Sequence, residues 1–198
     1  MEDRVGLWMK MVFAALVGVL VMAGGAQSQE MSARLDAEAV GNAFDLADLK
    51  ASPGGTPYHA TWLKEKQKTR CTMTVPLGKD WKQIWIEFVP AQSGEVQVCI
   101  MAGWTAEKEA RDRIQAWTDD VEVTGASLKN GGFEDLKDGK PVNWLWNGKP
   151  DCLSTDGTQA HGGKNAVKVW HDQPLYQTVK VEAGKPCRVS AWFKPAAK

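Results

Sequence analysis

The chain has 198 residues, and its 24 Lys and Arg are balanced by 24 Asp and Glu, giving no formal net charge. Wrapping a phosphate backbone needs a basic excess or stripe, so nucleic acid is excluded as a partner, and polybasic docking to a membrane is disfavoured for the same reason. With 43% hydrophobic and 24% charged residues the balance is that of a folded globular protein, and two counts depart from the ordinary, ten Trp and three His.

Residues 1–26 read as an export leader. Arg4 and Lys10 precede the apolar run MVFAALVGVLVM, and the small residues Ala23, Gly24, Gly25 and Ala26 follow, which suits cleavage after Ala26. Glu2 and Asp3 weaken the basic start, and an uncleaved anchor is the alternative. Export predicts an extracytoplasmic protein, secreted or periplasmic, with no membrane contact once the leader is gone. It also places Cys71, Cys99, Cys152 and Cys187 where disulfides survive; all three pairings are open, and none of the four has the spacing of a zinc site.

Residues 27–57 form the next segment. The spacing of Leu35, Val40, Ala43, Phe44 and Ala47 predicts a short helix over 32–50, with Ser32 as its N-cap and ASPGGTP as its stop. Gly41 and Asn42 interrupt it, and a flexible leader is the other reading. After Pro57 the period changes to two. WKQIWIEF sets Ile84, Ile86 and Phe88 against Gln83, Trp85 and Glu87, the mark of a strand with one buried face. EVQVCIM, DDVEV, AVKVW, QTVKVE and CRVSAWFK repeat the alternation, and the turn clusters HGGKN, DQP and EAGKP punctuate the last three. One insertion breaks the series: TAEKEARDRIQ, with Glu107/Arg111 and Glu109/Arg113 at i,i+4, predicts a short exposed helix over 105–115. Short, regularly spaced strands of this kind predict an all-β sandwich.

Asn130-Gly131-Gly132-Phe133-Glu134, then GKPVNW, HGGKNAVKV and LYQTVKVEAGKPCRVSAWFK resemble the opening half of the carbohydrate-binding modules of the galactose-binding-like, jelly-roll type. Cys187 departs from that pattern, standing where an aromatic is usual. GKDWKQIWIEFVPAQSGEVQVCIMAG with AWTDDVEVTG resembles the closing half of the same modules, yet comes first. Neither half alone offers enough apolar surface to offset its chain entropy. The expectation is therefore one jelly-roll domain over 58–198 in circularly permuted order, 58–126 supplying late strands and 127–198 early ones. Two incomplete tandem modules are the competing account.

The resemblance implies a glycan or polysaccharide partner and a structural calcium ion held by Glu134 and by Asp119 or Asp120, with carbonyls near 163–165; hard carboxylate oxygens suit calcium. Sugar rings stack on indole, and Trp8 falls in the leader, leaving nine of the ten Trp. Trp85, Trp170 and Trp192 lie in the polar register of their strands, so their rings should leave the core. Trp192, which shares its face with Arg188, is the first candidate; Trp62, Trp144 and Trp146 are candidates on loops or rims, and Gln97 supplies hydrogen bonds. Trp81 and Trp117 are expected against the core. No HExxH, GxSxG or phosphate loop is present, and His59, His161 and His171 form no triad pattern. Glu87 beside Trp85 is the one carboxylate that invites a glycosidase reading, and no deep cleft is foreseen for it. The sequence thus predicts a non-catalytic carbohydrate-binding protein, or alternatively a structural or adhesive cell-surface module without a sugar site; it leaves the oligomeric state open.

Overall fold

The computed structural model describes residues 31–40, 44–55, 58–62 and 68–196, with 58–62 and 68–74 as backbone. The predicted leader 1–26 lies outside the described residues. The strands are β1 (Ser32–Val40), β2 (Leu46–Ala51), β3 (Tyr58–Trp62), β4 (Lys68–Pro76), β5 (Lys82–Pro90), β6 (Gly94–Ala102), β7 (Ala116–Thr124), β8 (Leu136–Lys137), β9 (Lys140–Pro141), β10 (Leu153–Ser154), β11 (Ala166–Val169), β12 (Leu175–Val181) and β13 (Cys187–Pro195). They form a five-stranded sheet in the order β12-β6-β1-β4-β3 and a six-stranded sheet in the order β10-β11-β7-β13-β5-β2, with β8 and β9 as a small hairpin. Every pairing is antiparallel. The two large sheets face each other in a sandwich-like, all-β arrangement, as the alternation predicts.

The strands read from period two are all present: 82–90, 94–102, 116–124, 166–169, 175–181 and 187–195. Each buries one face, and the interior joins Ile84, Phe88 and Val98 to Val167, Leu175 and Phe193. Strands from 58–126 and 127–198 pair with each other in both sheets, and β1 and β2, from before residue 58, complete them. β7 lies between β11 and β13, β5 pairs with β13, and β6 pairs with β12, so the two segments share one interior.

The predicted helix over 32–50 is corrected: the segment is β1 and β2. Ala33, Leu35, Ala37 and Ala39 are fully buried on the inner face, while Arg34, Asp36 and Glu38 alternate with them on the outer face. Alanine favours helices in isolation. Here β1 is hydrogen-bonded to β4 on one side and β6 on the other, and burial in the middle of a sheet overrides that preference. Helix α1 (Lys108–Arg111) is one turn inside the expected insertion. Its flanks carry the Glu109–Arg113 pair at 3.7 Å and a Lys108–Asp112 pair at 2.9 Å. No helix among the described residues is long and apolar enough to cross a membrane.

Leu35→Ala tests the place of β1. Removing a fully buried leucine from a sheet centre should lower the unfolding free energy by about 2–5 kcal/mol in a urea titration. A loose leader would give a change within about 0.5 kcal/mol.

Candidate functional site

The outer face of the five-stranded sheet carries a cleft of about 240 Å³ lined by Arg34, Asp36, Glu38, Gln97, Cys99, Met101, His171 and Tyr176. Strand alternation builds it. Positions 34, 36 and 38 of β1, 97, 99 and 101 of β6, and 176 of β12 all point away from the core. Arg34 donates from Nε and Nη2 to the two carboxylate oxygens of Asp36, at 2.9 and 2.8 Å. That fork fixes a carboxylate that is only 3% exposed. At one end of the cleft His171 meets the ring of Trp104 at 6.2 Å between centroids, and Trp104 is 53% exposed. Burial holds His171 below the ordinary imidazole range, against the pull of Asp172, so its ring is neutral near pH 7. Its buried Nδ1 has no hydrogen-bond partner among the described residues.

Of the sugar-binding residues predicted from sequence, Gln97 alone lines this cleft. Arg34, Asp36, Glu38, His171, Tyr176 and Trp104 were not foreseen. Three of them sit on the strand read as a helix. The signal for the others was present: Tyr176 shares the polar register of β12 with Thr178 and Lys180, and Trp104 follows the end of β6 directly.

Of the predicted aromatic set, Trp85 and Trp192 lie on the six-stranded sheet and Trp170 directly follows β11. Trp85 and Trp192 leave the core as expected, but each ring already carries a partner from the protein. The Arg188 guanidinium lies 4.2 Å above Trp85 and donates to Glu87 Oε2 from Nε and Nη2 at 3.1 and 2.8 Å. Lys50 reaches Glu87 at 3.2 Å, and Arg188 first and Lys50 second hold Glu87 below the usual carboxylate range. His161 stacks on Trp192 with centroids 4.0 Å apart and planes at 15°. Trp81 and Trp117 are corrected from core to outer positions: Lys194 lies 5.0 Å over Trp81, which also meets the His161 edge, and Lys168 lies 5.6 Å over Trp117. Trp144 and Trp146 are corrected from rim to interior; both are buried, and Trp144 Nε1 donates to the Asn130 carbonyl at 2.9 Å. Trp170 is partly buried and packs against the core. Trp62 falls on β3, its side chain outside the described residues.

The acids expected to hold calcium converge on one loop. Between Ser190 and Trp192 of β13 the register slips so that Asp120 and Val121 of β7 stand opposite Ala191 alone, and Asp120 adopts φ +44°. Asp119, opposite Trp192 beside this bulge, is buried under the 161–162 loop. Asp119 Oδ1 accepts the Asp120 N–H at 2.7 Å, and Oδ2 accepts the His161 and Gly162 N–H groups at 2.8 and 3.0 Å. Glu134 Oε1 accepts the Lys164 and Asn165 N–H groups at 2.8 and 3.0 Å, and Asp120 contacts His161 Nδ1 at 2.6 Å. Gly163, at φ +60°, lies so close to the Glu134 carboxylate that a Cβ there would overlap it. The carboxylates therefore anchor the 161–165 loop through amide hydrogens. Among the described residues, no group of three or more His, Cys, Asp and Glu side chains is arranged to hold a metal ion.

Cys152 and Cys187 carry free, buried thiols, pushed up from the usual thiol range by burial, so they behave as packing groups. Comparison of the chain with protein-family models, with curated proteins and with solved structures returns no match.

Asp119 gives a pH signature. Burial pushes its pKa up to about 6, against the pull of the three amide donors. The folded state then holds this proton more tightly than the unfolded chain, so the contribution is full below about pH 4 and is lost as pH rises through about 6. Urea titrations at pH 4, 5, 6 and 7 should show wild type losing up to about 3 kcal/mol relative to Asp119→Asn across that window. A constant difference between the two proteins would contradict the assignment.

Proposed function

We propose that this is a non-catalytic carbohydrate-binding protein that holds a glycan on the outer face of the five-stranded sheet. The observation that carries the reading is the juxtaposition of an exposed indole, Trp104, with a cleft of fixed polar side chains. Sugars present a C–H face that suits an aromatic ring and hydroxyls that both donate and accept hydrogen bonds. Gln97, Tyr176, neutral His171 and the Arg34–Asp36 fork offer both kinds of partner on rigid strands. The cleft lies on a different sheet from Trp85 and Trp192, whose rings already carry Arg188 and His161.

Jelly-roll connectivity with the halves in permuted order belongs to the same proposal, and the interleaving of β11, β7, β13 and β5 in the six-stranded sheet, with β12 pairing to β6 in the other, supports it. So does export directed by residues 1–26. A structural calcium at Glu134, Asp119 and Asp120 is a subsidiary proposal, supported by the meeting of these acids at one loop. A melting temperature raised by calcium and restored by chelator would establish it; an unchanged one would remove it.

Titration with a panel of soluble polysaccharides, followed by Trp fluorescence and calorimetry, tests the main reading. Trp104→Ala and Gln97→Ala should each weaken binding about tenfold or more, equivalent to about 1.4 kcal/mol, while Trp192→Ala leaves it unchanged. Loss of binding in Trp192→Ala alone would move the site to the other sheet. Absence of binding across the panel would favour a structural or adhesive module.

A further inference from the structure

A second cleft, of about 490 Å³, adjoins the first; Lys140, Leu145, Trp146, Gln173 and Tyr176 are among its walls. Tyr176 lines both clefts. The tight turn over 170–173, closed by a bridge between Trp170 and Gln173, gives His171 to the first cleft and Asp172 and Gln173 to the second.

Strand register ties the two together. Asp36 stands opposite Cys99, Cys99 opposite Tyr176, and Tyr176 opposite Leu145. These four positions make one row across the strands, spanning three inter-strand spacings or about 14 Å, longer than one sugar ring. Leu145 ends the row. It is 68% exposed although its backbone exchanges two hydrogen bonds with Tyr176, at 2.9 and 3.1 Å, and its neighbours Trp144 and Trp146 are buried. Such anchoring holds an apolar side chain out at the surface. The first cleft alone falls below the ~300–1,000 Å³ of ordinary small-molecule sites, and the two joined fall within it.

We propose that the two clefts are one trough that takes a run of several sugars from a linear glycan, with Trp104 and Leu145 as its apolar ends and Tyr176 at its middle. This rests on the carbohydrate reading of the outer face. Calorimetry with cello-, xylo- and laminari-oligosaccharides of one to six units, alongside their parent polysaccharides, tests it. The expected result is a series whose affinity rises at least tenfold between one unit and four to six. Leu145→Ala and Gln173→Ala, with wild-type melting temperatures, should weaken the hexasaccharide about tenfold and leave the shortest binding member unchanged. Equal affinity for one unit and six would overturn the trough and leave a single-sugar site standing. Failure of every oligosaccharide and polysaccharide to bind would remove the carbohydrate reading and the trough with it.

Discussion

Two-sided pairing of β1, to β4 and to β6, is the constraint from which the five-stranded sheet is built. The strand's inner face is small, Ala33, Leu35, Ala37 and Ala39, and all four are fully buried. Opposite them the six-stranded sheet contributes Ile84, Ile86, Phe88 and Phe193, also buried. Small residues facing large ones let two sheets interdigitate at the usual separation of about 10 Å. The outer face of the same strand bears Arg34, Asp36 and Glu38, so one stretch of backbone sets both the thickness of the core and the floor of the cleft.

The two outer faces divide the work. On the six-stranded sheet, cations lie over indoles and acids neutralise or fix them: Arg188 over Trp85 with Glu87 and Lys50, Lys194 over Trp81, Lys168 over Trp117. Asp119, paired with Trp192 beside the β7 bulge, tethers the loop that lays His161 on that ring. Rings on that face are satisfied by the protein itself. On the five-stranded sheet an exposed indole, Trp104, stands beside a depression lined by polar side chains, the Arg34–Asp36 pair among them.

How much could be read in advance follows from which elements have a local signal. Strands β5, β6, β7, β11, β12 and β13 were legible because each alternates Val, Ile or Phe with polar residues, and a period of two needs no knowledge of neighbours. β1 alternates just as strictly, but its inner positions are mostly alanine, whose helical preference masks the pattern unless the flanking strands are known. The site was lost with it, since three of its charged residues lie on β1. Register also misled. Outward pointing was foreseen correctly for Trp85 and Trp192, yet sequence cannot show that a guanidinium and an imidazole from distant segments cover them. The convergence of Asp119, Asp120 and Glu134 on one loop was foreseen from the resemblance, and the amide hydrogens they bind were not.

Pairing in this fold is far from local. Ser32 faces Pro76, Val40 faces Glu95, and Leu46 faces Pro90, so the earliest strand waits for partners made much later in synthesis. High contact order of this sort slows folding. During the delay β1 is an open edge ready to pair with other chains, the usual start of aggregation. Its alternating charges, Arg34, Asp36 and Glu38, are gatekeepers against that fate, which gives the ionic side of this strand a duty before any native contact exists.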